Sequence, residues 1–164
     1  MPKVKAKTAK VKTEIDLIRE RAENDLFYFA KLVNPTYQYG EIHKKVAAFL
    51  SKNVSMHGVR RSLLLLPRGH LKSHWMANYC AWEITKNPAI IILYLSATAK
   101  LATTQLFAIK QILSSDIYKT FWPLMLHREE GKRKKWTSSE IIVDHPLRAQ
   151  MGIRDATVSA AGLT

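Results

Sequence analysis

The chain has 164 residues, about one domain, and its 47% hydrophobic and 24% charged content is ordinary for a soluble globular protein with a real core. Lys and Arg number 26 against 13 Asp and Glu, and the net charge of +13 favours a polyanionic partner: nucleic acid, an anionic membrane or an acidic protein. A single cysteine, Cys80, excludes an intrachain disulfide and a Cys-based metal cluster, and the longest apolar run, Ala89–Leu95, is far short of the ~20 residues of a membrane helix.

Residues 1–13 carry five lysines and no acid, which reads as a basic disordered tail with no signal peptide behind it; it either touches phosphates or only solubilises the end. A helical segment is expected over 14–58. Glu14–Val33 has Ile15, Ile18, Ala22, Leu26, Phe29 and Val33 on one face, and Asn34-Pro35 ends it. Glu41–Asn53 follows as a second helix, with Ile42, Val46, Phe49 and Leu50 on one side, and His57-Gly58 is a turn.

From residue 59 onward strand and helix alternate. Ser62–Leu66 reads as a strand buried on both faces, Pro67–Leu71 as a loop, and Lys72–Lys86 as a helix with Met76, Cys80 and Ile84 inward. Ala89–Leu95 is a second buried strand, and Thr98–Leu113 a helix turning Ala102, Leu106, Ile109 and Leu113 inward. Asp116–Leu126 is a short helical segment interrupted at Pro123, and Arg128–Lys135 is a charged surface loop in which Lys132–Lys135 either contact DNA phosphates or are simply solvated. Trp136–Val143 and Leu147–Met151 read as strands joined by a turn at Asp144-His145-Pro146, and Asp155–Ala160 as a further strand. This order predicts an α/β fold with a parallel sheet. The ending, Ala160–Thr164, reads as the middle of a fold.

Chemistry concentrates in Pro67-Arg68-Gly69-His70-Leu71-Lys72-Ser73. A strand entering a tight loop that opens a helix offers free backbone N–H groups and a positive dipole end to a phosphate. Lys72 is placed for β- and γ-phosphate oxygens, and the Ser73 hydroxyl for Mg²⁺. Against G-x-x-x-x-G-K-[ST], Leu66 and Leu71 stand where glycines are usual and Gly69 lies between them. The position before Lys72 often needs a backbone conformation that Leu accepts poorly. An ordinary strand-to-helix turn with two exposed cations is the alternative reading.

This loop resembles the deviant Walker A loop of tailed-phage terminase large subunits, in which an arginine commonly stands four residues before the lysine, as Arg68 does. Ile90–Thr98 resembles the strand and Ser-Ala turn that follow, and the helix with Gln105 is similar too. Gly152–Asp155 and Val158–Gly162 resemble the strand pair and Gly turn before the Walker B strand. The likeness covers about residues 25 to 164, and only the Walker A loop is specific.

The resemblance implies a partial ASCE-type P-loop NTPase sheet preceded by the helical segment, with residues 59–164 an incomplete ATPase core. It implies ATP and Mg²⁺ as cofactors, with Arg68, Gly69, His70, Leu71, Lys72 and Ser73 on the phosphates and Lys72 and Arg68 in catalysis. Tyr37-Gln38-Tyr39 sits where these ATPases place an adenine-binding segment; Gln38 has groups to read adenine edges and an aromatic to stack is beside it, or the segment is a surface turn. Ser96 and Thr98 follow a strand end, where ligands bind in open sheets, although Thr98 also suits a helix N-cap.

The complete family member packages double-stranded DNA into a procapsid and cuts concatemers, with portal protein and small terminase subunit as partners. It works in a possible homo-oligomeric ring, in host cytoplasm and transiently at the portal vertex, with no membrane. No apolar strand ending in Asp-Glu is present; Ile141–Asp144 mimics one but continues into His145-Pro146, so Asp144 reads as a turn residue. The Walker B acid, catalytic glutamate, coupling motif and nuclease are expected beyond Thr164, and this chain is expected to bind nucleotide yet hydrolyse it poorly. The rivals are another P-loop ATPase, helicase-like or recombinase-like, and a non-enzymatic basic module that binds nucleic acid by charge. His70 and His74 have a metal-binding spacing without a third ligand, and Trp75 and Trp82 read as packing residues.

Overall fold

A computed structural model describes residues 13–52, 61–87, 89–143 and 155–163. The basic tail over 1–12, the turns at 57–58 and 144–146 and the strand expected at Leu147–Met151 lie outside the described residues.

The single helix expected over Glu14–Val33 is two, α1 (Glu14–Asn24) and α2 (Leu26–Val33). Asp25 divides them. Its backbone is extended, and its carboxylate accepts from Phe27 N–H at 2.8 Å and Tyr28 N–H at 3.2 Å. An Asp side chain that caps a new helix competes with continuation of the old one. Thr13 and Asp16 form a capping box at the start of α1. Ile15, expected inward, is exposed, whereas Ala22, Leu26, Phe29 and Val33 are buried as the spacing predicts.

Helix α3 (Glu41–Phe49) is shorter than expected and ends in a π-type turn at 50–52; Val46 and Leu50 are buried, Phe49 is half-buried, and Ile42 is exposed. Helix α4 (Lys72–Lys86) matches its expected bounds. Strand β1 (Ile91–Ser96) leads to α5 (Ala99–Ser114), capped by the Thr98 hydroxyl on Leu101 N–H, so Thr98 is an N-cap. All four residues expected inward on α5 are buried. Then come α6 (Asp116–Phe121), a 3₁₀ turn at Glu130–Lys132, β2 (Glu140–Val143) and β3 (Ala156–Gly162).

The protein is mixed α/β, with a helical N-terminal region and a small sheet. The sheet is mixed rather than parallel: its order is β1-β3-β2, with β1 parallel and β2 antiparallel to β3. β2 pairs antiparallel with β3, the next strand described in the chain, whereas the connection from β1 to its parallel partner β3 contains α5. Trp136 joins β2 only through one bridge to Ile141.

Two strands expected to be buried on both faces are not. Residues 61–67 pair with no strand among the described residues; Leu64 and Leu66 pack inward, while Leu63 and Leu65 are 77% and 78% exposed. In β1 likewise Ile92 and Tyr94 meet the core and Ile91, Leu93 and Leu95 face out. A wholly apolar run does not say which of its faces is covered.

One core runs from Ala22 to Val158, with α4 at its centre against α1, α2 and α5, and α5 lying on β1 and β3. Polar ties fasten the N-terminal helices to it: Trp82 Nε1 donates to Ala22 C=O at 2.9 Å, and Trp122 Nε1 to Glu23 at 2.9 Å. Thr85 Oγ1 and Tyr118 Oη share a buried bond of 2.8 Å. Trp75 and Trp82 are buried packing residues. Among the described residues no helix is long and apolar enough to cross a membrane.

The end of β3 meets the start of α5 closely. A Cβ on Gly162 would lie 2.2 Å from Ala99 N and 2.8 Å from Thr98 C, both backbone atoms that cannot step aside. Gly162→Ala is therefore expected to destabilise by about 1–3 kcal/mol, the range for overpacking, read as a lower urea midpoint at unchanged m.

Candidate functional site

The loop before α4 is built by two left-handed residues. Gly69 has φ +83°, and Leu71, the N-cap of α4, has φ 52° and ψ 27°. Among the described residues Leu71 is the one non-glycine with positive φ. Such a backbone costs a side-chain-bearing residue about 1–2 kcal/mol. The conformation that the sequence demands of a glycine is thus adopted by leucine, whose side chain is half-buried against the core.

No side chain caps α4. Its first intrahelical bond runs from Trp75 N–H to Leu71 C=O at 2.9 Å, so the N–H groups of Lys72, Ser73 and His74 lie ahead of the ladder. Leu66, Pro67, Arg68, Gly69, Leu71, Lys72, Ser73 and His74 line an open cleft of about 430 Å³. Arg68, Lys72 and Ser73 are exposed, and neither cation has a carboxylate partner among the described residues. His70 is half-buried, and its Nδ1 donates to Arg68 C=O at 3.2 Å, closing the turn. The cleft can accept a small polyanion by two exposed cations, a hydroxyl and a helix start.

Behind the loop lies an aromatic cluster that the sequence does not announce. His74, in the first turn of α4, has the Tyr37 ring stacked on it at 4.1 Å and 26°. Tyr39 Oη bonds His74 Nε2 at 2.7 Å. Tyr39 and His43 both approach Trp75, and His43 Nδ1 accepts from Gly40 N–H at 2.9 Å. Asn34 Nδ2 donates to the fully buried Asn78 at 2.8 Å, and Asn78 Nδ2 donates to His74 C=O at 2.8 Å. Residues 34–39 are thereby fastened to the first two turns of α4 at three places. A second cavity of about 250 Å³ adjoins, lined by Asn34, Tyr37, His74, Gln111 and Ser115 among others. His74 lines both. Gln38 is exposed on this segment.

The sequence signals for this cluster are the Tyr37-Gln38-Tyr39 segment and the His74–Asn78 pair, four apart on α4, but nothing in the sequence brings the two together. His70 Nδ1 and His74 Nε2 each serve a protein group, and no group of three metal-ligating side chains exists among the described residues. Burial pushes the Cys80 thiol up to about 12, with Glu83 adding to the effect, so it is an inert packing group.

The basic loop is tied to acids. Lys132, Lys134 and Lys135 pair with Glu129, Asp155 and Glu140. Arg133 is buried, its guanidinium 4.3 Å above the Trp136 ring and its Nε donating to His127 C=O.

Comparison with known proteins yields no match: no family model fits the chain, and neither a curated protein nor a solved structure is significantly similar to it.

Burial, and secondarily the neighbouring His43, lowers the His74 pKa from its ordinary value of about 6.5. The titratable groups facing it are Tyr37, Tyr39 and His43. Above about pH 6.5 both folded and unfolded states carry the neutral ring and stability does not depend on this group. As the pH falls below that value the unfolded chain takes up the proton first, and stability drops until the lower folded pKa is passed. His74→Gln is expected to flatten this acid-side fall, seen as a smaller loss of transition temperature between about pH 7.5 and 5.5 than in the wild type.

Proposed function

We propose that this chain binds the phosphates of a nucleoside triphosphate, ATP with Mg²⁺, in the cleft over residues 66–74. The observation that carries the reading is Leu71: a leucine held left-handed at an uncapped helix start. Strained backbone of this kind persists where the surroundings over-determine it, and it clusters at ligand-holding turns. Ordinary strand-to-helix turns have no need of it.

In this reading Lys72 engages the β- and γ-phosphates and Arg68 offsets charge on the γ-phosphate. The backbone of Gly69, His70 and Leu71 wraps the anion, and the Ser73 hydroxyl ligates the Mg²⁺ that arrives with the nucleotide. The residues present suit such a group, since two cations without a carboxylate partner among the described residues, an exposed hydroxyl and a helix start share one cleft. Bound Mg²⁺ supplies neutralisation of the phosphate charge. In this reading Tyr37 is on the base side, since His74 borders both the phosphate cleft and the cavity beside Tyr37, and Gln38 follows it in the chain.

At the level of the whole machine we infer a terminase-like DNA-packaging ATPase, acting on double-stranded DNA with portal and small-subunit partners. The resemblance of the loop, with Arg68 four residues before Lys72, supports this, and so does the net charge of +13. The sequence contains no apolar strand ending in paired carboxylates. Such acids position Mg²⁺ and the attacking water in motors of this class. The chain is therefore a nucleotide binder with negligible turnover of its own.

Titration calorimetry of the 164-residue chain with Mg-ATP tests the reading. Lys72→Ala is expected to abolish measurable heat while leaving the transition temperature of this exposed position unchanged. Robust phosphate release by the wild type would refute the negligible turnover. The net charge also favours a purely electrostatic nucleic-acid module, which predicts salt-sensitive DNA binding, no ATP binding and indifference to Lys72→Ala.

Leu71 gives a second check. Leu71→Val places a β-branched residue in a left-handed turn, which such side chains accept worst. Nucleotide affinity is expected to fall at least ~10-fold, while Leu71→Gly, free of the steric cost, keeps it.

A further inference from the structure

We propose that His74 is a positioning residue that holds Tyr37 as the wall against which the nucleotide's base stacks, and so makes the site prefer a nucleotide over a bare polyphosphate. The inference rests on the phosphate-binding reading of the cleft and assigns one residue the task of linking its two ends.

His74 is the third residue of α4, directly after Lys72 and Ser73. It is also the one side chain that lines both the loop cleft and the cavity next to Tyr37. Its ring is held from two sides. Tyr39 Oη bonds Nε2 at 2.7 Å and fixes the ring's rotation. The Tyr37 ring lies over it at 4.1 Å, close to parallel. Tyr37 itself is 44% exposed, so His74 supports part of its surface and leaves the rest open. Tyr37, His74 and Tyr39 are mutually near-parallel, at 18° to 29°.

An exposed tyrosine on a surface segment ordinarily samples several rotamers. Held against a fixed ring it presents one orientation, and the ordering cost of stacking a base is already met before the ligand arrives. Because the supporting ring grows from the same helical turn as Lys72, the base wall and the phosphate cradle keep a constant separation. A triphosphate without a base uses the cradle alone and gains nothing from His74.

The test compares Mg-ATP with magnesium tripolyphosphate by calorimetry on the full chain. Tyr37→Ala and His74→Ala are each expected to weaken ATP about tenfold, the size of one base–aromatic stack, and to leave tripolyphosphate within about twofold. In the Tyr37→Ala background, His74→Ala is expected to add no further loss, since the two act as a unit. Tyr39→Phe, which removes a single oxygen and preserves the fold, is expected to weaken ATP in the same direction by a smaller factor.

A parallel fall for both ligands would overturn the proposal by making His74 a structural support of the loop. ATP affinity unchanged by His74→Ala, or losses that simply add in the double variant, would overturn it equally. Failure of the cleft reading gives a different pattern: neither ligand binds the wild type, or both bind Lys72→Ala. Either result removes this inference along with it.

Discussion

A helix buried on nearly every side has to be entered at one angle, and here a left-handed leucine sets it. Trp75, Ala77, Asn78, Cys80, Ala81, Trp82, Ile84 and Thr85 are all buried on α4, which touches α1, α2 and α5. Rotating its first turn would move Trp75 out of its stack with Phe27 (6.2 Å, 7°) and Asn78 off Asn34. The packing behind the helix therefore over-determines the loop in front of it. That is the condition under which a strained φ survives without glycine. Position 71 answers to the core through its half-buried side chain and to the cleft through its backbone, and a leucine serves both where glycine would serve one.

The cleft is electrostatically open, whereas the basic stretch over 132–135 is not. Lys132, Lys134 and Lys135 are matched with acids, and Arg133 is folded under Trp136. Exposed pairs of this kind contribute little stability, but they lower the positive potential that a polyanion would meet. Arg68 and Lys72 have no such neighbours among the described residues, so the field near the helix start is left unbalanced.

Helices were legible in the sequence where their ends are marked by local chemistry. Lys72–Lys86 follows from the loop before it and Asn87 after it, and Thr98 caps α5. Asp25 was missed because an apolar face continuing at helical spacing masks a cap in its midst; Phe29 and Val33 keep the periodicity after the break. Sheet topology was less legible. The turn signal at Asp144-His145-Pro146 follows β2 in the sequence without saying that its partner is β3, and the two aliphatic runs look alike whether one face or both are covered. Of the site, the loop and its missing glycine could be read directly, since the conformational demand falls on one position. The Tyr37–His74–Tyr39 stack could not, because residues 35 apart in the chain meet only through the packing of α2 on α4.

Leu63, Leu65, Ile91, Leu93 and Leu95 leave five large aliphatic side chains in contact with water, in a molecule whose net charge is +13. The two features act in opposite directions between molecules. Repulsion among like-charged chains is long-ranged at low ionic strength and is screened within about 10 Å at 0.1 M salt. Attraction between oily surfaces is untouched by that screening and is strengthened by sulfate or phosphate. Dilute buffers therefore keep such molecules apart, and added salt, which dissolves many proteins, draws these together.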